Sequence, residues 1–369
     1  MPRPQAPPGR HASRQVPARI GAPRPAPPGP REDRNPPASG TCGPTTADDQ
    51  QALWAGRFGA AVPADPGPRR SVTVHCPARI SLQVSVAAPG PNGHHPVTSV
   101  LLAVGLYDQV TAEHAAALDV TVRGEWAAEV PTGRESLAHR AATLLAEHLG
   151  RPPRVSLSIV RNIPAAAGLA GGSSDAAGAL VACARLWRVH LPPSVLLRLA
   201  SRLGGDAAFC LRGVAAVGAS SGPRLQPVPV GNAFHWVLVP SAIPLRAPDV
   251  YRAWDELHPH PPVSPAAPRR GVLNALGGGS AELLAHHLSN DLQAAAISLR
   301  PELQEVLLAG TAAGGLGATV CGAGPTCAFL ASDTGHAVTI ARRLRALGYR
   351  ALVVAGPAPG PAAPRPSRR

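Results

Sequence analysis

The stretch Pro164-Ala-Ala-Ala-Gly-Leu-Ala-Gly-Gly-Ser-Ser-Asp-Ala-Ala177 constrains this chain more than any other. Strand-like alternation over Val155–Val160 leads into it, and a run of helix formers follows. Gly168, Gly171 and Gly172 permit backbone angles that other residues avoid. Ala165, Ala166, Ala167 and Ala170 keep side-chain bulk low, while Ser173 and Ser174 are N-cap types. A helix opening there offers unpaired amides and its positive dipole end to the loop, an arrangement that binds phosphate. The competing reading is a plain connector, because alanine and glycine abound in this chain. Three glycines, two serines and a helix start in one window exceed what that bias supplies.

Other phosphate motifs are missing. GxxxxGK[ST] requires lysine, and all 35 basic residues are arginine. GxGxxG does not occur. Net charge is +13, but residues 1–70 carry 10 Arg against 5 acidic residues, and Arg365, Arg368 and Arg369 add to the C-terminal end. The modest surplus left in the middle suits phosphorylated ligands. No face interleaves aromatic with basic residues, which argues against nucleic acid as a partner. No run of about 18 apolar residues exists, so no membrane span is expected. Cys42, Cys76, Cys183, Cys210, Cys321 and Cys327 form no CxxC pair and no zinc-finger spacing. No protein metal site is read from them, and scattered thiols indicate a reducing, cytoplasmic setting.

Residues 1–70 hold 16 of the 44 prolines and few large apolar residues, so they are read as a disordered extension. Folded sequence is expected over 71–232 and 233–356, with a disordered tail at 357–369. Val72, Val74, Ile80, Leu82, Val84 and Val86 alternate as strands do, and further strands are expected at Val97–Leu106, Ala117–Val122 and Val155–Val160, and again over Ala207–Val217. Helices are expected at Ser136–Leu149, from Ser173 to about Val189, and at Pro193–Leu203. In the second half, Phe234–Val239 reads as a strand and Pro248–Leu257 as a helix. Residues 259–280 read as loop, Ala281–Leu299 and Pro301–Leu308 as helices. Two short strands over Val320–Leu330 flank a turn, followed by helix Thr334–Leu347 and strand Arg350–Val354.

Asp206, at a junction after Gly204-Gly205 and before an apolar run, is placed to take a proton from an attacking hydroxyl. By itself it also fits a turn aspartate. Arg79, in Cys76-Pro-Ala-Arg-Ile-Ser-Leu82, could neutralise charge on a transferred phosphoryl group, or simply be a surface arginine. Asn92, His94 and His95 lie in the loop after the first strand, and Gly322-Ala-Gly-Pro-Thr326 is a second small-residue turn.

Taken in order, these segments resemble the GHMP kinase superfamily. Pro77–Leu82 reads PARISL against the family's Pro-Ala-Lys-Ile-Asn-Leu. Asn92–His95 reads NGHH against Asp-Gly-Tyr/Phe-His, and Pro164–Ala177 is similar to PxGxGLGGGSSxAA. Gly204–Phe209, Asn290-Asp291-Leu292 and Gly322–Thr326 find counterparts too. The resemblance implies an α+β, two-domain fold, with a ribosomal protein S5 domain 2-like N-terminal domain and a ferredoxin-like C-terminal domain. It implies ATP on Pro164, Gly168, Leu169, Ala170, Gly171, Gly172, Ser173 and Ser174, with Mg²⁺ beside the phosphates. Asp206 falls at the family's catalytic aspartate and Arg79 at its catalytic lysine. The histidine loop and Asn-Asp-Leu point to the branch that phosphorylates the 2-hydroxyl of CDP-methylerythritol in isoprenoid synthesis. There His95 would recognise cytosine, His94 would replace a stacking aromatic, and Ser81 and Asp206 would meet the alcohol. Arg79, Ser81 and Asn92 depart from the pattern inside the site. A GHMP kinase for another alcohol, such as homoserine or a sugar, and a nucleotide-binding homologue without transfer stay open, as do monomer and homodimer.

Overall fold

The computed structural model describes residues 71–128, 130–219, 225–241 and 243–362. The readings for residues 1–70 and 363–369 lie outside these residues. Two sheets organise the rest. The first has seven strands, with the path β3(Asp119–Arg123), β4(Val155–Val160), β2(Val97–His114), β1(Ser71–Val86), β8(Ser289–Asn290). β5(Ala215–Ala219) pairs with β2 and with β6(Leu225–Pro227). β1 and β2 form its spine as an antiparallel pair, from Ser71 opposite Glu113 to Val86 opposite Val97. Register shifts fall between Pro77 and Ala78 and between Ser81 and Gln83, so irregularities flank Arg79 and Ser81. Bulges of this kind re-aim side chains beside functional sites.

The second sheet is antiparallel, ordered β11(Leu352–Gly356), β7(Phe234–Val239), β10(Cys327–Ala331), β9(Gly317–Val320). Helices intervene between β7 and β9 and between β10 and β11, which gives the β-α-β-β-α-β pattern of a ferredoxin-like unit. One face of each sheet meets the other. Ile80, Leu82, Val100 and Leu102 pack in one cluster with Trp236, Leu238, Ala328 and Leu330. The opposite face of the first sheet is covered by α1(Leu137–His148), α2(Gly171–Leu186), α3(Pro193–Leu203) and α4(Gly205–Arg212).

Four expectations fail for identifiable reasons. Gly205–Arg212 is helical, so the strand expected from Ala207 begins only at Ala215. Ala207 through Leu211 are all buried, and a helix buried on every side shows no apolar stripe to betray its period. Within the expected loop 259–280, Arg270–Gly278 is a helix that buries Val272, Ala275 and Leu276. The continuous helix expected over Ala281–Leu299 is broken. Ser289 and Asn290 pair in parallel with Gln83 and Val84, and Asp291 donates its amide to the Val84 carbonyl. The tail begins later than expected, because Pro357–Ala362 pack onto the fold. The Ala358 amide bonds to Ala103 O at 2.8 Å, the Ala358 carbonyl accepts from Val214 N at 2.7 Å, and Ala362 bridges His75.

Candidate active site

β4 delivers the chain into the glycine-rich loop, and α2 leaves it. Helix α2 starts at Gly171 with Ala170 at its N-cap position, φ 60° and no side-chain cap. Its first intrahelical bond runs from Ser174 N to Ala170 O at 2.9 Å. The amides of Gly171, Gly172 and Ser173 precede that bond and face outward from the helix end. The expected serine cap is therefore corrected. Ser174 is fully buried, and its hydroxyl donates to the Pro77 carbonyl at 2.7 Å, tying α2 to β1. Gly172 and Ser173 are half-buried, whereas Leu169 and Gly171 are buried and shape the loop from beneath. Pro164 is likewise buried at the start of the loop.

Three loop residues hold left-handed backbone: Ala166 at φ 45°, Gly168 at φ 71° and Ala170 at φ 60°. For the two alanines this is strained geometry of the sort that persists at ligand sites. Both stand where the family pattern has glycine. At Gly168 a Cβ would collide with the Cys321 carbonyl, because the turn after β9 presses against the loop. That turn is itself held by Asn290, whose Nδ2 donates to Val320 O at 2.8 Å and Gly322 O at 2.7 Å. Asp291 accepts from Val86 N at 2.9 Å and Ser85 Oγ at 3.1 Å. Asn290-Asp291-Leu292 thus acts by bracing the turn and β1. Thr326 is fully buried, so its hydroxyl meets no ligand.

Arg79 joins the loop to Asp206. Its Nη1 donates to the Gly168 carbonyl at 2.6 Å, its Nε to Asp206 Oδ1 at 3.1 Å and its Nη2 to Asp206 Oδ2 at 2.7 Å. The paired fork is the strong form of charge-assisted hydrogen bond. Burial works against the Arg79 charge, but the adjoining carboxylate outweighs it and holds the guanidinium above its ordinary range. Asp206 sits in the first turn of α4, where the helix dipole favours an anion. Its side chain keeps 37% exposure against 11% for Arg79, so the carboxylate remains reachable. Ser81 is buried, with its Oγ 3.4 Å from Arg79 Nη1.

A cleft of about 1260 Å³ opens from this point, and Arg79, Ser81, Asp206, His94 and His95 all line it. Loop residues 164–174 lie beyond its lining and connect through the Arg79–Gly168 bond. His94 is exposed, and its amide donates to Asn92 Oδ1 at 3.1 Å. His95 is pinned. Its Nδ1 lies 2.9 Å from the Ala87 carbonyl, which can only accept, and its Nε2 is 3.4 Å from Asp255 Oδ2. The ring stacks on Tyr251 with centroids 5.0 Å apart and meets the edge of Trp254 at 5.5 Å.

Tyr251 and Asp255 were not singled out in the sequence. Both come from α5(Ala247–Leu257), and both line the cleft. Burial pushes the Tyr251 hydroxyl up, so the phenol is neutral. The only hint was an amphipathic helix carrying an aromatic. Among the described residues no group of three or more His, Cys, Asp or Glu side chains could hold a metal ion. Nor is any helix there long and apolar enough to cross a membrane.

A phosphate-type loop, a bracketing carboxylate and a ferredoxin-like second sheet define a small-molecule kinase. Residues 136–214 match the GHMP kinases N terminal domain, and residues 272–350 match GHMP kinases C terminal. The chain belongs to the GHMP kinase family. Its relatives include the 4-diphosphocytidyl-2-C-methyl-D-erythritol kinase of Streptomyces coelicolor, 48% identical over 75% of this chain and 93% of that one. The enzyme of the same name from Streptomyces avermitilis is 46% identical over 79% and 98%. A crystal structure of 4-(cytidine 5'-diphospho)-2C-methyl-D-erythritol kinase superposes with TM-score 0.62 at 31% identity, covering 77% of this chain and 98% of the other.

Proposed function

We propose that this chain transfers the γ-phosphoryl group of ATP to the 2-hydroxyl of 4-diphosphocytidyl-2-C-methyl-D-erythritol. The relatives named for that reaction support it across most of the chain. The observation that carries the mechanism is the Arg79 guanidinium, bonded at once to the phosphate-loop carbonyl of Gly168 and to both oxygens of Asp206. It holds the carboxylate one guanidinium's width from the loop, the spacing needed if one molecule's phosphate is to meet another's hydroxyl.

The ATP phosphates lie against the first-turn amides of Gly171, Gly172 and Ser173, where the dipole and free N–H groups favour an anion. Mg²⁺, when bound, offsets phosphate charge. The cytosine lies against Tyr251 and His95, with His94 at the cleft's exposed edge. Asp206 keeps lone pairs beyond those used by Arg79 and accepts the proton of the attacking hydroxyl. The alcohol oxygen bonds to phosphorus, the bridging P–O bond breaks, and ADP leaves. Arg79 faces the charge on the transferred oxygens.

ATP consumption by the purified full chain, with the CDP-alcohol as acceptor, tests this. The expected product is its 2-phosphate, identified by mass spectrometry and phosphorus NMR. Turnover with homoserine or a sugar instead would move the chain to another branch of the family. ATP binding without transfer to any acceptor would make it a nucleotide-binding homologue.

A further inference from the structure

Beneath the phosphate loop lies a buried charge cluster that phosphoryl transfer does not touch. Asp108 comes from β2, Arg161 follows β4, and Asp175 belongs to the start of α2. Their exposures are 0%, 3% and 2%. Arg161 Nη1 lies 3.1 Å from Asp108 Oδ2 and also bonds to Asp175 Oδ2. Asp108 Oδ1 accepts the amides of Asn162 at 2.6 Å and Ile163 at 2.8 Å. The guanidinium also fills the space where a Cβ at Gly171 would sit. One cluster therefore grips the backbone leading into the loop and packs against the backbone leaving it.

Its charges do not balance. Two carboxylates share one guanidinium in an interior that penalises uncompensated charge. Asp108 is served by two amides and the ion pair. Asp175 Oδ2 bonds to Arg161, its Oδ1 has no donor, and its side chain meets the Asp108 carboxyl, whose Oδ2 likewise accepts no hydrogen bond. Burial pushes the Asp175 carboxyl well up, and the neighbouring Asp108 carboxylate adds to that. Asp108 is also raised by burial, against the pull of Arg161 and the two amides. Adjacent Cys76 is held up by burial as well, so its thiol adds no further negative charge.

We propose that Asp108, Arg161 and Asp175 form a one-proton clamp that fixes the shape of the phosphate loop, with Asp108 as the anion and Asp175 as the proton carrier. All three are positioning residues, and the inference rests on the ATP reading above. Two amides and the adjoining guanidinium stabilise charge on Asp108, while Asp175 has one guanidinium bond and lies against the Asp108 carboxyl, which leaves Asp175 better neutral. The clamp matters because strained backbone at Ala166 and Ala170 persists only where its surroundings hold it.

The test compares Asp108→Asn with Asp175→Asn in the full chain, measuring the ATP dissociation constant with Mg²⁺ by calorimetry. It also measures the thermal midpoint and the infrared carbonyl band of protonated carboxylic acids. Asp175→Asn mimics the neutral acid, so its dissociation constant should rise less than threefold and the band should disappear. Asp108→Asn replaces the anion, and its dissociation constant should rise at least tenfold. A purely structural cluster would lower both midpoints together without separating the two affinities. Equal affinity losses, or a band that survives Asp175→Asn, would overturn the proposal. If Asp108→Asn does not fold, the band in the wild type and its loss in Asp175→Asn decide the proton's place. A wild-type chain that fails to bind ATP would instead strike the kinase reading, and the band would still test the clamp.

Discussion

The glycine-rich loop and the cleft beside it are built from different materials. At the loop the groups on offer are backbone: amides of α2, a carbonyl of Gly168 and buried braces from one short window plus β1. In the cleft they are side chains. His94, His95, Tyr251 and Asp255 converge from segments more than 150 residues apart, several of them half-exposed. Backbone geometry admits few residues at each position, so the loop is intolerant of change. Side-chain recognition trades one group for another at moderate cost, so the cleft is where specificity can drift. Arg79 and Asp206 sit between the two.

That contrast can be broken at several points, beginning with the hinge. Asp206→Asn should lower kcat by about 10²–10⁴-fold and leave the ATP dissociation constant nearly intact. Steady-state rates beside calorimetry check it, and undiminished turnover would remove the base assignment. Arg79→Met removes the bridge to Gly168 and the partner of Asp206, so kcat should fall about 10²–10³-fold while the folded state survives.

At the loop, Gly168→Ala forces a Cβ into the Cys321 carbonyl at positive φ. A loss of about 3 kcal/mol of stability, with weakened ATP binding, should appear in urea titration. A change below about 0.5 kcal/mol would show that the loop yields to the added methyl group. In the cleft, Tyr251→Ala should cost about 1–3 kcal/mol of cytidine-substrate binding, read as a higher KM for the alcohol with KM for ATP unchanged. The smallest effect is a gain. Ala170→Gly relieves left-handed backbone and should add about 0.5–1 kcal/mol, visible as a raised thermal midpoint.

The loop was legible because glycine and small residues declare backbone demands locally. Pro164–Ala177 announced a loop and a helix start, and β1 and β4 announced themselves by alternation. The cap was not legible because Ser174 turns inward to Pro77, a partner 97 residues away. Ala207–Leu211 concealed a helix because burial on all sides erases periodicity. Asn290-Asp291-Leu292 was visible as a motif, yet its action on the 322 turn needed coordinates.

By itself the sequence determined a loop of the type that binds anions, most strands and helices, and the pair Arg79 and Asp206 as candidates. Those features follow from local conformational preference and residue chemistry. Only the tertiary structure decided that Arg79 forks onto Asp206, that Tyr251 stacks on His95, and that two aspartates share one arginine under the loop. Such contacts join residues distant along the chain, and no local preference encodes a distance between side chains that only packing brings together.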